Sequence, residues 1–259
     1  MDLQLKGRRV LITGGSKGIG LAIAQEFAAA GALPVLVARE ADALRVGADG
    51  IVKKYGVKVE VIVADLSLSC SSKDVFNQAG EVDIVINNAG SIPAGNLQEI
   101  DEATWRKAWD LKLYSYVNLT RLYLDYMQER RTGVIINIIG MAGAAPRYDY
   151  ICGSAANAAL IAFTQAVGAF SVQFGVRVLG INPPATRTNR MESMFRYRAT
   201  HQLKNTDRWH ELAMKLPFGR MAEPLEIAQS VVFCASPRSS YLSGAVLNID
   251  GGAMYAAVQ

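Results

Sequence analysis

Residues Val10 to Gly20 read V-L-I-T-G-G-S-K-G-I-G and join a short apolar run, a glycine-rich turn and the start of a helical pattern. Apolar residues recur at helical spacing from Ile19 to Ala28, so the stretch predicts a strand, a tight turn and a helix in that order. Glycine suits this turn because the backbone takes positive φ and can approach a phosphate closely. The free N–H groups of the helix would face the anion. The stretch therefore predicts a phosphate-binding turn, with a merely connecting turn as the alternative.

Apolar runs that resemble strands alternate with helical patterns along the rest of the chain. Further strands are predicted at 34–38, 57–64, 82–86, 134–139, 177–181 and 245–249. The main helices are predicted at 41–55, 101–131, 150–174 and 224–235. This alternation predicts an α/β fold, in which one doubly wound domain over residues 1–259 has a seven-stranded parallel sheet with helices on both faces.

The composition favours a globular protein of the cytoplasm. Hydrophobic residues make up 51% of the chain, which is enough for a buried core. The three cysteines, Cys70, Cys152 and Cys234, are widely spaced, so reduced thiols and no metal site are expected. The polar N-terminus lacks the apolar core of a signal peptide.

Residues 150–176 carry no charge and are long enough to span a bilayer, but their amides and hydroxyls favour a buried or interface helix over a membrane span.

The basic character of the chain is concentrated in residues 185–220. The net charge of the whole chain is +4, whereas this segment alone holds eight basic and three acidic residues. Its arginines and aromatic residues would suit a small ligand that has an acidic group beside an apolar or aromatic body, with a solvated helix face as the alternative. They are Arg187, Arg190, Arg196, Arg198, Phe195, Tyr197 and Trp209. The stretch is too short, and the rest of the chain too neutral, to favour nucleic-acid binding.

Two further motifs accompany the glycine-rich turn. The three motifs are T-G-G-S-K-G-I-G from Thr13, N-N-A-G from Asn87, and Y-L-S-G-A-V-L-N-I-D-G-G over 241–252. Together they resemble the short-chain dehydrogenase/reductase family from about residue 5 to 253. The resemblance implies a Rossmann-like fold, a bound nicotinamide dinucleotide, and hydride transfer between that cofactor and a carbonyl or alcohol. It also implies a homo-oligomer, either a tetramer or a dimer, and a substrate-covering segment at about 185–220.

The resemblance assigns cofactor contacts to the matching positions of this sequence. Some residues would line the phosphates, others would flank the adenine or its ribose, and those after the sixth strand would lie near the nicotinamide. The set is Gly14, Ser16, Lys17, Gly18, Ile19, Gly20, Arg39, Asp65, Leu66, Asn88, Ala89, Gly90, Asn157, Pro183, Thr186 and Thr188.

The end of the second predicted strand bears on the choice of cofactor. An NAD site carries a carboxylate there for the ribose 2′-hydroxyl, whereas this chain has Ala38 and Arg39. A guanidinium binds a 2′-phosphate as a fork, and Lys17 adds a second positive charge. Glu40 opposes them, and ordinary surface roles for the two basic residues are the alternative. The sequence predicts NADP(H) over NAD(H).

The four catalytic positions of the family are all changed in this chain. In the family a serine polarises the carbonyl, a tyrosine gives its proton to the substrate oxygen, a lysine lowers the proton affinity of the tyrosine, and an asparagine fixes a water of the proton relay. The matching positions hold, in that order, Gly140, Gly153, Asn157 and Lys112. Pro184 also replaces the glycine of a family Pro-Gly pair, although Pro183 and Thr188 keep their positions.

Two of these changes form an exchange, since a lysine is lost at 157 and gained at Lys112. Lys112 would place its ammonium in the same pocket, and a surface lysine paired with Asp110 is the alternative. Reduction of a carbonyl also needs a proton donor. Tyr150, Ser154 and Asn157 would share one helix face if the helix begins early, and Lys112 would be the cation that activates the phenol. A pocket-wall aromatic is the alternative for Tyr150.

The leading hypothesis is an NADP(H)-dependent oxidoreductase for a carbonyl or alcohol substrate, with an atypical catalytic centre. That centre would consist of Lys112, Tyr150, Ser154 and Asn157. A catalytically silent NADP(H)-binding protein is the first alternative. A non-redox enzyme on the same scaffold, such as a lyase or hydratase, is the second.

Overall fold

The computed structural model describes residues 2–255, so residues 1 and 256–259 of the predicted domain span lie outside the described residues. Seven strands form one parallel sheet in the order β3-β2-β1-β4-β5-β6-β7. The strands are β1 Arg9–Thr13, β2 Leu33–Ala38, β3 Glu60–Val63, β4 Ile84–Asn87, β5 Gly133–Ile138, β6 Val176–Asn182 and β7 Val246–Asn248. The strand order reverses between β1 and β4, and ligands of such sheets bind beyond the carboxyl ends of the strands at this switch point.

Helices pack on both faces of the sheet. They are α1 Gly18–Ala29, α2 Ala41–Tyr55, α3 Ser71–Ala79, α4 Glu102–Trp109, α5 Ser115–Arg130, α6 Ile151–Ser171, α7 Asn189–Leu203, α8 Trp209–Ala213 and α9 Pro224–Ala235. Successive residues of β1 enter opposite cores, because Val10 and Ile12 pack with Phe27 of α1 whereas Leu11 packs with Tyr123 of α5. A central parallel strand is buried on both sides in this way. The predicted Rossmann-like α/β fold is confirmed.

Several element boundaries differ from those that the sequence predicts, and three of the differences exceed a shift of one or two residues or fall beside the site. The strand predicted at 57–64 is shortened to β3. The helix predicted at 101–131 is interrupted by a π-helical turn, Asp110–Tyr114, between α4 and α5. The helix predicted from residue 150 begins one residue later. Tyr150 is its N-cap, and its φ of −145° is not helical. The last two differences both fall beside residues that the sequence singles out for catalysis.

The uncharged helix is the element that bears on a membrane span. Residues Ile151–Phe174 are long and apolar enough to cross a membrane by length and composition, a test that the core helix of a soluble protein also passes. Cys152, Ala156 and Leu160 of α6 are fully buried in the protein. One face of α6 therefore belongs to the core, as predicted, and the absence of a membrane partner stays a prediction.

Candidate active site

The glycine-rich turn leads into a helix terminus whose donors are free. Gly14 and Gly18 have φ of 66° and 58°, which only glycine adopts without strain. A Cβ on Gly20 would lie 2.2 Å from the carbonyl oxygen of Gly14, so this glycine lets the helix approach the turn. Within residues 2–255 no side chain caps α1, although Asp101 caps α4 and Thr188 caps α7. The N–H groups of α1 therefore suit an external anion.

Thr13 and Asn88 join the turn to the end of β4. The hydroxyl of Thr13 accepts hydrogen bonds from the backbone N–H groups of Asn88 and Ala89 at 2.9 and 3.0 Å. The Asn88 amide donates to the Thr13 carbonyl oxygen at 2.9 Å. Thr13 thus fixes two of the predicted cofactor residues in place, a role that sequence reasoning missed although the residue directly precedes the glycines.

A cleft of 1230 Å³ runs along the carboxyl ends of the strands from this turn to α7. It contains most of the predicted cofactor and catalytic residues. Those that line it are Gly14, Ser16, Lys17, Gly18, Ile19, Arg39, Leu66, Asn88, Ala89, Gly90, Lys112, Tyr150, Asn157, Pro183, Thr186 and Thr188. Three predicted residues lie outside the lining, namely Gly20, Asp65 and Ser154. The cleft therefore brings the two halves of the predicted site together.

Two ion pairs lie at the end of the cleft that is formed by β2 and β3. Lys17 Nζ is 3.2 Å from a carboxylate oxygen of Glu40, and Arg39 Nη1 is 3.8 Å from Asp65 Oδ2. Asp65 also accepts hydrogen bonds from the backbone N–H and the hydroxyl of Ser67. Both basic side chains remain more than half exposed and reach the cleft. They are accessible to a phosphate, at the cost of exchanging an existing carboxylate partner.

The hydroxyls after β6 are already occupied. Thr186 donates to the Pro184 carbonyl oxygen at 3.0 Å, and Thr188 accepts from the backbone N–H of Met191 at 3.2 Å. A Cβ on Gly18 would lie 3.1 Å from the Thr188 methyl group. The segment after β6 therefore lies directly across the glycine-rich turn, even though Pro184 replaces a glycine.

The ring of Tyr150 fills the space above Gly153. A Cβ on Gly153 would lie 2.0 Å from Tyr150 Cε1 and 2.2 Å from Cζ, so the two positions cannot both carry a ring. The resemblance places a tyrosine at 153, and the ring of Tyr150, the residue just before α6, lies against the point where the side chain of that tyrosine would begin. The early helix start that would align Tyr150 with Ser154 on one face is not observed.

The amide of Asn157 approaches the position where the family has its serine. A Cβ on Gly140 would lie 2.9 Å from Asn157 Nδ2. Asn157 is buried, and its Oδ1 has no hydrogen-bond partner within the described part of the chain. An orphaned acceptor of this kind is costly unless a ligand fills it. With the uncapped terminus of α1, it fits a dinucleotide whose ribose hydroxyls would donate to it.

Lys112 lies in the π-helical turn and is buried, with 8% of its surface exposed. Its ammonium donates to the Ile138 carbonyl oxygen at 2.6 Å and to the Tyr116 hydroxyl at 2.9 Å. Burial lowers the pKa of Lys112 to about 7, and the charge of Arg190 lowers it in the same direction. The surface position beside Asp110 is therefore not observed, and Lys112 titrates near neutral pH in the cleft wall.

Arg190 supplies the positive charge next to the phenol. Its guanidinium donates to the carbonyl oxygens of Gly90 and Ile92 at 3.1 and 2.5 Å. Burial raises the pKa of Tyr150, and the positive charge of Arg190 opposes that rise. The sequence predicts that Lys112 is the cation that lowers the pKa of Tyr150. In the structure the cation that lowers this pKa is Arg190.

Ser154 holds the loop before α6 rather than lining the cleft. Its hydroxyl accepts from the backbone N–H of Arg147 at 3.0 Å and donates to the carbonyl oxygen of the same residue at 3.2 Å. The backbone N–H of Tyr150 also donates to that carbonyl oxygen, at 3.2 Å. Ser154 therefore positions the loop that carries Tyr150.

The predicted basic segment faces the cleft only in part. Arg187 is 2.8 Å from Glu223, and Arg196 is 3.7 Å from Asp207 with its guanidinium over the Trp209 ring. These two arginines have partners of opposite charge or aromatic character. Phe195 and Arg198 line the cleft, whereas Tyr197 is exposed and outside the lining.

Metal ligands are not assembled in the described part of the chain. Within residues 2–255 no group of three or more histidine, cysteine, aspartate or glutamate side chains is placed to hold a metal ion. Cys70, Cys152 and Cys234 are free thiols.

The fold agrees with what comparison with known proteins shows. The family model for short chain dehydrogenases matches residues 8–198. The chain belongs to the short-chain dehydrogenase/reductase family, whose members are oxidoreductases. The predicted family resemblance is thus confirmed.

Individual relatives match along nearly the whole chain. A 3-oxoacyl-acyl-carrier-protein reductase from Chlamydia muridarum is 31% identical over 259 residues, covering 97% of this chain and 99% of the relative. A galactitol 2-dehydrogenase (L-tagatose-forming) from Cereibacter sphaeroides is 32% identical over 251 residues, covering 96% of each. The crystal structure of L-sorbose reductase from Gluconobacter frateurii, complexed with NADPH and L-sorbose, superimposes with a TM-score of 0.90 at 30% identity. That match covers 99% of this chain and 100% of the reductase.

Proposed function

We propose that the protein is an NADP(H)-dependent oxidoreductase that reduces a carbonyl compound, with Tyr150 as the proton donor. The observation that carries this proposal is the phenol of Tyr150 in the volume above Gly153. When bound, NADP(H) supplies the hydride that reduces the carbonyl carbon. The protein has to supply one proton to the carbonyl oxygen, and Tyr150 is a partly buried phenol in the cleft lining, next to the position at which the family has its tyrosine.

The neighbouring groups complete the proposed centre. Tyr150 gives its O–H proton to the carbonyl oxygen, and the guanidinium of Arg190 stabilises the phenolate that remains. Asn157 Nδ2 donates a hydrogen bond to the substrate oxygen in place of the serine. Lys112, whose pKa burial lowers to about 7, would serve as a proton source in the wall of the cleft. Burial raises the pKa of Tyr150 and so opposes proton donation, whereas the positive charge of Arg190 lowers that pKa and favours it.

Single-turnover measurements test this proposal. The protein is loaded with NADPH and mixed with a panel of ketones, quinones and acyl thioesters, and cofactor absorbance and products are followed together. We expect loss of NADPH matched by an equal amount of alcohol. Tight NADPH binding without turnover across the panel would favour the silent NADP(H)-binding protein, and substrate loss without cofactor oxidation would favour a non-redox enzyme.

The choice of NADP(H) over NAD(H) is supported by Lys17 and Arg39, which both reach the cleft. Replacing Arg39 by aspartate is expected to lower the NADPH-to-NADH preference in kcat/KM by about 10- to 100-fold. A charge-assisted hydrogen bond contributes about 1.5–3 kcal/mol, and the new carboxylate would repel a 2′-phosphate. Arg45→Asp is the matched control, because Arg45 is also exposed beside an acidic partner but lies outside the cleft lining. An unchanged preference in Arg39→Asp would contradict the assignment.

The remaining proposals concern the protein as a whole. We propose one domain over residues 1–259, with residues 185–220 covering a small, acidic substrate that has an apolar or aromatic body. We also propose a cytoplasmic homo-oligomer, a dimer or tetramer. Its support is the outward face of α6, where Phe170 is exposed next to several alanines. A monomer in light scattering would contradict the oligomer.

A further inference from the structure

Two guanidinium groups share one carboxylate at the α7 end of the cleft. Arg147 binds Asp149 at two points, with Nε 3.0 Å from Oδ1 and Nη2 2.6 Å from Oδ2. Arg198 Nη2 lies 3.7 Å from the same Oδ2, beyond hydrogen-bond distance. This group of three, the Arg147–Asp149–Arg198 cluster, therefore has one positive charge in excess. The carboxylate of Asp149 forms its two hydrogen bonds with Arg147, and its interaction with Arg198 is the weaker of the two.

Arg198 is a mostly buried cation with unfilled donors. Its side chain is only 22% exposed, and among residues 2–255 its guanidinium makes no hydrogen bond. Burial lowers the pKa of Arg198, and the charge of Arg147 lowers it further. A guanidinium carries five N–H donors in a planar fork, and Arg198 lines the cleft, where these donors are open to a ligand. An anion that enters the cleft would fill these donors.

The surroundings of Arg198 combine this charge with apolar surface and with the proposed acid. Its guanidinium lies over the ring of Phe195 at 5.7 Å, and Met194 lines the same part of the cleft. The backbone N–H of Tyr150 donates a hydrogen bond to the carbonyl oxygen of Arg147, so a single turn of the chain connects Tyr150 to the cluster. Tyr150 and Arg198 both line the cleft, so both side chains are open to one ligand.

We infer that Arg198 binds the carboxylate of an oxo-acid substrate whose apolar or aromatic body packs against Met194 and Phe195. The inference deepens the proposed function and rests on it. One excess positive charge matches a carboxylate, which is singly charged and planar, better than a phosphate dianion. Arg147 and Asp149 are positioning residues, because they hold the loop and the charge beside Arg198.

Binding to the protein saturated with NADP⁺ tests this inference without any turnover. Benzoylformate and phenylpyruvate are compared with their methyl esters by calorimetry, since each ester keeps the ketone and the ring but lacks the charge. We expect each acid to bind about 10-fold or more tightly than its ester, and Arg198→Gln to reduce that ratio to near one. Arg198→Lys is expected to restore part of it.

Arg208→Gln is the matched control. Arg208 belongs to the same basic segment, pairs with Glu211 and lies outside the cleft lining, so its loss removes one charge without touching the cluster. Its acid-to-ester ratio should equal that of the unmodified protein. Thermal unfolding of each variant confirms that it is folded.

The inference is overturned if neither acid binds more tightly than its ester, or if Arg208→Gln lowers the ratio as much as Arg198→Gln does. Displacement of benzoylformate by inorganic phosphate at lower concentration would assign the site to a phosphate monoester instead and overturn the carboxylate. If NADPH is never oxidised while the acid-to-ester ratio still depends on Arg198, the proposed function fails and the anion subsite stands.

Discussion

Tyr150→Phe is expected to lower kcat for carbonyl reduction by about 10²- to 10⁴-fold, the range for loss of a general acid. Phenylalanine keeps the ring above Gly153, so the wall of the cleft is preserved while the O–H is removed. NADPH affinity should stay unchanged, because the loss falls on the proton transfer alone. Steady-state kinetics and fluorescence titration of NADPH measure the two quantities separately.

Tyr148→Phe is the matched control for this variant. Tyr148 lies two residues earlier on the same loop, is exposed, and donates to Gln98 Oε1 at 2.7 Å outside the cleft. Its kcat should equal that of the unmodified protein. If Tyr150→Phe also retains full kcat, Tyr150 is a wall residue and the proton comes from another group.

Gly153→Ala probes the same geometry from the other side. The added Cβ would overlap the Tyr150 ring, so the phenol has to leave its position even though its O–H is intact. We expect kcat to fall in Gly153→Ala as well. Retained activity would show that the phenol need not occupy the volume above residue 153.

The fold was predictable because its pattern is local and strong. The apolar run of β1 is buried on both sides, and the glycines after it mark the turn without knowledge of any distant residue. The ends of a strand were less predictable where pairing with a neighbouring strand determines them. β3 is an edge strand that pairs only with β2, so ladder formation begins at Glu60 opposite Val35 rather than where the apolar alternation begins.

The catalytic half of the site was less predictable than the glycine turn. Helical spacing places Ser154 near Tyr150, but it does not reveal that α6 begins after Tyr150 and that Ser154 bonds the Arg147 backbone. The approach of Arg190 to Tyr150, and of Arg198 to Asp149, joins residues from different elements. The periodicity of a single sequence does not predict such contacts, because they depend on how α7 packs across the cleft.

Lys112→Met is expected to stabilise the protein at low pH and to weaken catalysis. The pKa of Lys112 falls from its ordinary value of 10.5 to about 7, so the folded protein carries a costly buried ammonium below that pH. The cost is present in full below pH 7, because both the folded and the unfolded chain are then protonated. Between pH 7 and 10.5 only the unfolded chain holds the proton, so stability rises with pH and the cost disappears above 10.5.

The gain from Lys112→Met should therefore be largest at about pH 6, on the order of 2–4 kcal/mol in the free energy of unfolding, and shrink as the pH rises. Methionine fills a similar volume, and the Ile138 carbonyl oxygen keeps its bond from the Tyr116 hydroxyl at 3.0 Å, so no buried acceptor is orphaned. Urea unfolding across a pH series measures the effect. Lys107→Met, on the exposed face of α4, is the control and should show no such pH dependence. A gain that is constant with pH, or a loss of stability throughout, would contradict the assigned burial.

A pH-dependent gain in stability together with a loss of turnover would separate two explanations for Lys112. A lysine retained for packing should destabilise the fold when replaced, since its stem and both hydrogen bonds would be lost. A lysine retained for proton transfer destabilises the folded state. Its removal should raise the free energy of unfolding and lower the rate at which the phenol is reprotonated. Burial is the larger cause that lowers the pKa of Lys112 toward neutral, and the positive charge of Arg190 lowers it further. A lysine held near a neutral pKa at a cost to folding favours the second explanation.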